Sequence, residues 1–269
     1  MSRVIELHLL YATIVWMAAW LLTSVPRGSA TTKYWIWIAT SINFVLPLSA
    51  LPASWWPVRV GWFVAPLAIE GVRWNLAGVW LAGALLMFGR LLLRVRFDAP
   101  AHGPAVVGLV RPRIQLPAAI DGLLTPGEVE AVLIHERCHA TRRDNLIRLL
   151  HEITLCLLWF HPLVWITRSR LGLYRELSCD ESVIRRGLGE ELVAALAKMA
   201  HCDGALLQAG AASFVRNRLA HLTTSKNSDR AATTLIAAGF TVILLLALVA
   251  PIGQAVAAYG CALTHGLTP

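Results

Sequence analysis

Thr125-Pro126-Gly127-Glu128-Val129-Glu130-Ala131-Val132-Leu133-Ile134-His135-Glu136-Arg137-Cys138-His139 is the stretch that decides how this chain is read. Thr125 and Glu128 have capping-box spacing, with Pro126 at the first helical position. The spacing predicts a helix from Pro126 to about Arg143. On an α-helix, residues four apart share a face, so His135 and His139 can grip one ion between two imidazoles. Glu136, beside the first imidazole, can reach water bound to that ion. Zinc in such a position lowers the pKa of its water to about 7 and polarises a carbonyl. A neighbouring carboxylate can then take the water proton and pass it on. The bland alternative is two surface histidines on a polar helix.

Working outward, Arg175-Glu176-Leu177-Ser178-Cys179-Asp180-Glu181 supplies what two histidines lack. Catalytic zinc commonly takes two His and one Glu, with a position left for water. Glu176 is the candidate third ligand. Asp180 lies four residues on, on the same helix face. One of the two can bind metal while the other accepts the N–H of a ligand histidine and fixes its tautomer. Glu181 reads as part of a solvated acidic face.

Composition places these motifs near a membrane. Of 269 residues, 57% are hydrophobic and 15% charged, and the mean hydropathy is +0.60. Soluble domains carry about 45–50% apolar and about 25% charged residues. Four apolar runs are candidate spans: Leu7–Val25, Tyr34–Leu51, Trp74–Leu93 and Leu235–Ala258. Trp35 and Trp37 open the second, where aromatic residues favour the interface, and Arg90 near the end of the third can snorkel. Of the 24 Lys and Arg, 19 lie between Arg90 and Arg230 and none follow. Such clustering fits a large cytoplasmic segment between the third and fourth spans, from about residue 94 to 230. The expected order is three spans within 1–93, a cytoplasmic domain over 94–230, and a fourth span with a short external tail over 231–269. The net charge of +8 comes with no nucleic-acid-binding motif, and direct nucleic-acid binding is not expected.

Within the cytoplasmic segment, Ala105–Val110 and Ile114–Pro117 read as one or two short strands. Leu146–Trp165 is apolar but holds Arg148, His151, Glu152 and His161, which are costly in a bilayer core. It reads as a partly buried or interfacial helix. Were it a span, the orientation of everything downstream would reverse. Ser169–Arg186, closed by Gly187, and Glu190–His201 read as two further helices. His161, His201 and His221 read as structural, and His151-Glu152 as a satisfied polar patch. Tyr174 falls on a different helix face from Glu176. Cys138 points off the metal face, and the role of Asp144 is open. The five cysteines form no CxxC pair and no disulfide framework is expected.

His135–His139, the following Arg143-Asp144, the Glu-Leu-Ser-Cys-Asp-Glu run at 176–181 and Val107-Gly108-Leu109 with Pro112–Pro117 resemble the BlaR/MecR family of membrane zinc metallopeptidases. The resemblance covers about residues 75–250. It implies a mainly α, polytopic membrane protein with about four transmembrane helices. Its cytoplasmic zinc metalloprotease domain would be gluzincin-like, with a small β element. His135, His139 and Glu176 would be Zn2+ ligands and Glu136 the catalytic base. The partners implied are the lipid bilayer and a protein substrate, either a cytoplasmic transcriptional repressor or the chain itself. Well-known members carry an external penicillin-binding sensor domain after the last span. The sequence read here stops at Pro269, so β-lactam sensing by this chain alone is not expected. A housekeeping membrane protease and a non-catalytic scaffold or receptor of the same fold are the alternative readings.

Overall fold

A computed structural model describes residues 2–26, 28–45, 72–97, 104–117, 120–202, 218 and 229–246. The candidate spans 34–51 and 235–258 run partly outside these residues, and His221 lies outside them. The described chain is mainly helical. Its helices are α1 (Ser2–Thr23), α2 (Ala30–Val45), α3 (Val72–Phe97), the single turn α4 (Ile120–Leu123), α5 (Pro126–Arg142), α6 (Asp144–Leu157), α7 (Pro162–Ile184), α8 (Gly189–Cys202) and α9 (Arg230–Leu246). Strands β1 (Ala105–Val107) and β2 (Arg113–Gln115) form an antiparallel hairpin, pairing Ala105 with Gln115 and Val107 with Arg113. Among the described residues one helical stretch, Gly78–Val95, is long and apolar enough to cross a membrane. Leu10–Thr23 and Arg230–Leu246 are shorter apolar helices.

The apolar run 146–165 is not one helix. α6 stops at Leu157, residues 158–161 turn, and α7 starts at Pro162 and continues through the predicted 169–186 helix. The cause is local. Pro162 cannot follow a helical residue comfortably, and His161 before it is extended (φ −93°, ψ 111°). The result is a helical hairpin whose two arms return the chain to the side it left.

That hairpin lies along α1 and α2. The Trp16 indole donates to Thr167 Oγ1 (3.0 Å) and the Tyr174 hydroxyl to Thr23 O (2.9 Å). Tyr34 reaches Asp144, and Ser41 reaches His151 at 2.7 Å. At the hairpin tip His161 packs against Phe44, ring centroids 5.2 Å apart. A Cβ on Gly83 of α3 would sit 2.3 Å from the Trp159 ring at the same tip, so only glycine permits this approach.

Two apolar cores result. One joins α1, α2, α6, α7 and α9 through Val15, Trp37, Leu155, Val164 and Phe240. The other joins α4, α5, the end of α7 and α8 through Ile120, Val132, Val183 and Leu192. α7 runs through both, and the residues singled out in the sequence sit where it passes from one to the other.

Glu181 departs from the sequence reading. It is buried rather than solvated. Its carboxylate accepts from Ala30 N (2.6 Å), Thr31 N (3.2 Å), Ser29 Oγ (2.8 Å) and Thr31 Oγ1 (3.0 Å). It therefore caps α2 from another helix, where free N–H groups and the helix dipole favour an anion. α2 consequently begins at Ala30, four residues before the apolar run that signals it.

Candidate metal centre

α5 is built as its sequence predicts. Thr125 (φ −70°, ψ 161°) accepts from Glu128 N, and Glu128 Oε2 accepts from Thr125 N at 2.8 Å. Lys198 of α8 pairs with the same carboxylate at 2.7 Å. The far end of α5 is unusual. Arg143 adopts the left-handed conformation (φ 55°, ψ 46°), and α6 starts at the next residue. This turn swings Asp144 back under α5, where Oδ2 meets His139 Nδ1 at 2.7 Å.

His135 and His139 share a face as expected, with Nε2 atoms 3.1 Å apart. Glu176 Oε2 lies 3.4 Å from the first and 3.6 Å from the second. Both Nδ1 atoms look away from this triangle toward carboxylates. His139 Nδ1 donates to Asp144, whose Oδ1 accepts from the Tyr34 hydroxyl at 2.9 Å. His135 Nδ1 lies 3.0 Å from Asp180 Oδ1, off the line of a good hydrogen bond. Asp180 is fully buried and takes a two-pronged contact from Arg218, with Nη2 to Oδ1 at 2.7 Å and Nε to Oδ2 at 3.0 Å.

This arrangement leaves an electrostatic gap. With each Nδ1 turned to a carboxylate, hydrogen-bonded at His139 and only adjacent at His135, each neutral ring points an Nε2 lone pair at the other. Two lone pairs at 3.1 Å repel unless a proton or a cation joins them. The ionisation of the residues shows the strain. Burial alone would depress the His139 imidazolium, but Asp144 and Glu176 outweigh it and push the pKa up to about 9. Burial of His135 is likewise overcome by Asp180 and Glu176, and its pKa is raised. Burial would raise Glu176, yet the two histidines and Arg175 hold it well below the usual carboxylate range.

A tetrahedral ion with bonds of about 2.0–2.1 Å separates its ligands by about 3.3–3.4 Å. The triangle of 3.1, 3.4 and 3.6 Å brackets that value, and the donor set of two imidazoles and a carboxylate suits zinc. Cys179 Sγ also lies near the two histidines, close enough for a His-His-Cys set. It approaches His139 from the Nδ1 side, at 3.4 Å, where Asp144 is already bonded. Glu176, on the Nε2 side of both rings, is the better third ligand. Glu136 is half-buried, and its carboxylate has no hydrogen bond or ion pair among the described residues.

The remaining sequence candidates separate clearly. Tyr174 points to Thr23, away from the triangle. His161 sits at the hairpin tip and His151 on Ser41, both remote from it. His151 is only half satisfied, for its Nε2 has no well-aligned hydrogen bond among the described residues. Arg218 was missed in the sequence. It comes from a stretch with no motif, yet it anchors Asp180 and brings Nη2 within 3.5 Å of His135 Nε2. Arg142 was missed too. It reaches Asp144 Oδ2 (2.6 Å), Arg175 O (3.2 Å), Cys179 Sγ (3.0 Å) and Ser178 Oγ.

Comparison with known proteins converges on the same stretch. Residues 92–193 match the family described as BlaR1 peptidase M56. The regulatory protein BlaR1 of Bacillus licheniformis is 38% identical over 86 residues, 30% of this chain and 14% of that protein. The methicillin resistance mecR1 protein of Staphylococcus aureus is 24% identical over 100 residues, 37% of this chain and 17% of that protein. The match thus spans about a seventh of the relatives' length. No solved structure matches the chain. Residues 92–193, which carry both histidines, Glu136, Glu176 and Asp180, are thus similar to the BlaR1 peptidase M56 family and to its BlaR1 and mecR1 relatives.

Proposed function

We propose that this chain is a membrane-embedded zinc endopeptidase that signals by cleaving a cytoplasmic transcriptional repressor or itself. The observation that carries the proposal is the triangle of His135 Nε2, His139 Nε2 and Glu176 Oε2, with an uncommitted Glu136 beside it. His135, His139 and Glu176 would hold the ion in a gluzincin-like site. When bound, zinc acidifies water and polarises the scissile carbonyl. Glu136 takes the proton of the attacking water and delivers it to the leaving amine. Asp144 and Asp180 keep both imidazoles in the tautomer that turns Nε2 inward. Arg142 and Arg218 hold those carboxylates in place.

The membrane reading extends the long apolar stretch found among the described residues, Gly78–Val95. In it, residues 1–93 cross three times, 94–230 form the catalytic domain on the cytoplasmic side with the tip of its α6–α7 hairpin set against α3, and a fourth span follows within 231–269. The clustering of Arg and Lys between Arg90 and Arg230 supports this orientation.

The test is a Glu136→Gln variant of the full chain purified in detergent. Zinc content by mass spectrometry is expected to stay at the wild-type level. Cleavage of a co-expressed candidate repressor, or of the chain itself, is expected to fall by about 10²–10⁴-fold. Undiminished cleavage would remove Glu136 from the mechanism, and absence of zinc from the wild type would remove the mechanism altogether.

A further inference from the structure

Away from the triangle, two cavities of about 200 and 90 Å³ adjoin along α6 and α7, sharing Glu152 and Arg168 in their walls. The larger reaches α2. The smaller opens between α3 and the helical hairpin. Their walls carry Arg90 and Arg94 from α3, Arg148 from α6, and Arg168 and Arg175 from α7.

The carboxylates facing these five arginines are few and mostly engaged. Asp144 is bound to His139, Arg142 and Tyr34. Arg175 is turned to Glu176 at 2.8 Å, and Glu152 pairs with Arg168 at 2.8 Å. Arg90, Arg94 and Arg148 have no carboxylate within ion-pair reach among the described residues. A second observation points the same way. His151 lines the larger cavity, is only 4% exposed, and its Nε2 makes no well-aligned hydrogen bond among the described residues, with the Val164 backbone beside it. With the Ser41 hydroxyl donating to Nδ1, Nε2 carries the proton and offers a donor to an anion. A buried donor without a well-aligned partner calls for an explanation, and an anion in the cavity supplies one.

Depth decides what the anion is attached to. α3 runs antiparallel to α6, with Trp80 on Leu157 O near the hairpin tip and Arg90 and Arg94 beside Glu152 further along. The two arginines therefore occupy the last third of the apolar stretch Gly78–Val95, where a bilayer changes from hydrocarbon to headgroups. Trp165 in the smaller cavity suits that level. Leu85, Leu86, Leu92 and Leu93 are exposed on α3 and leave apolar surface for acyl chains. Basic cavities between helices at this depth suit anionic lipid headgroups.

We infer that the adjoining cavities walled by Arg90, Arg94, Arg148 and His151 form a binding site for the phosphate of an anionic phospholipid headgroup. The inference rests on the reading of Gly78–Val95 as a span. The full chain is reconstituted in phosphatidylcholine nanodiscs doped with phosphatidylglycerol, and retained lipid is measured by native mass spectrometry. Phosphatidylglycerol is expected to be retained in preference to phosphatidylcholine. An Arg90→Gln/Arg148→Gln double variant should lose that preference by on the order of tenfold, and the exposed-site control Arg186→Gln should keep it. Equal retention of the two lipids by the wild type overturns the site, as does a preference undiminished in the double variant. Uptake of inorganic phosphate by delipidated protein in place of phosphatidylglycerol overturns the lipid as the source. Flotation on pure phosphatidylcholine vesicles separates the two readings. A chain that floats without headgroup preference has a span and no lipid site, whereas a chain that does not float has neither.

Discussion

The two halves of the candidate metal centre do one job with differently built supports. His139 is held by Asp144, five residues away, and Asp144 by Arg142 and Tyr34. His135 is held by Asp180, on another helix, and Asp180 by Arg218, a further 38 residues along the chain. The first support is folded locally by the left-handed turn at Arg143. The second exists only once α5, α7 and Arg218 have met. A locally built support has spare partners: Arg142 also reaches Ser178, Cys179 and Arg175 O. The long-range support rests chiefly on one buried ion pair, with Glu176 a second and longer contact of Arg218 at 3.8 Å. Breaking such a pair costs more than its presence contributes, because it leaves an uncompensated buried charge.

The contrast can be tested, beginning where the supports meet. Glu176 is shared by both histidines, so Glu176→Ala should abolish stoichiometric zinc at neutral pH, whichever support is intact. Zinc at full occupancy in that variant would move the third ligand to Cys179. Next come the supports themselves. Asp180→Ala and Asp144→Ala should each weaken zinc about 10–100-fold, as loss of a histidine's partner usually does. In thermal unfolding of the full chain they should differ. Asp180→Ala leaves buried Arg218 only the longer contact to Glu176, at 3.8 Å, and should cost about 3–5 kcal/mol. Asp144→Ala leaves Arg142 other partners and should cost about 1–3 kcal/mol. Equal losses would erase the distinction.

Acidity acts on both halves together, and metal reverses its sign. The His139 pKa without metal, about 9, lies above the ordinary histidine value of 6.5. Its contribution to the stability of metal-free protein is therefore complete below pH 6.5 and lost as pH rises through about 9. Zinc must displace that proton, so zinc affinity should rise with pH over the same interval and level off above it. Melting temperatures from pH 6.5 to 9 should fall without metal and rise with it. Parallel trends would mean that the ion does not replace the proton. The smallest effect belongs to the turn that builds the local support. A non-glycine residue in the left-handed region costs about 1–2 kcal/mol, and Arg143 is exposed. Arg143→Gly should stabilise the chain by up to about 1 kcal/mol and leave zinc affinity unchanged. A large loss of zinc would show that the Arg143 side chain itself contributes.

The parts of this molecule that could be read in advance follow the same division. α5 was legible from Thr125, Pro126 and Glu128 because capping is chemistry between residues three apart. The pairing of His135 with His139, and of Glu176 with Asp180, was legible because helical spacing fixes the shared face. The helical break at 158–161 was missed although Pro162 signalled it, because the apolar run on both sides masked the stop. Glu181 was misread because an acid in a polar run looks the same whether it meets water or the N–H groups of α2. Asp144 stayed unassigned because nothing in Arg142-Arg143-Asp144 announces a left-handed residue.

Taken by itself, the sequence determined the site helix with its cap, its two histidines and Glu136, the helix face carrying Glu176 and Asp180, and the mainly helical, apolar character of the chain. All of these rest on interactions within a few residues, or on composition. Only the tertiary structure decided which ring nitrogens converge, which carboxylate holds which histidine, that Arg218 anchors Asp180, and that Glu181 caps α2. Those choices depend on groups 38 to about 150 residues apart, and burial makes their pairing obligatory only after the cores have formed.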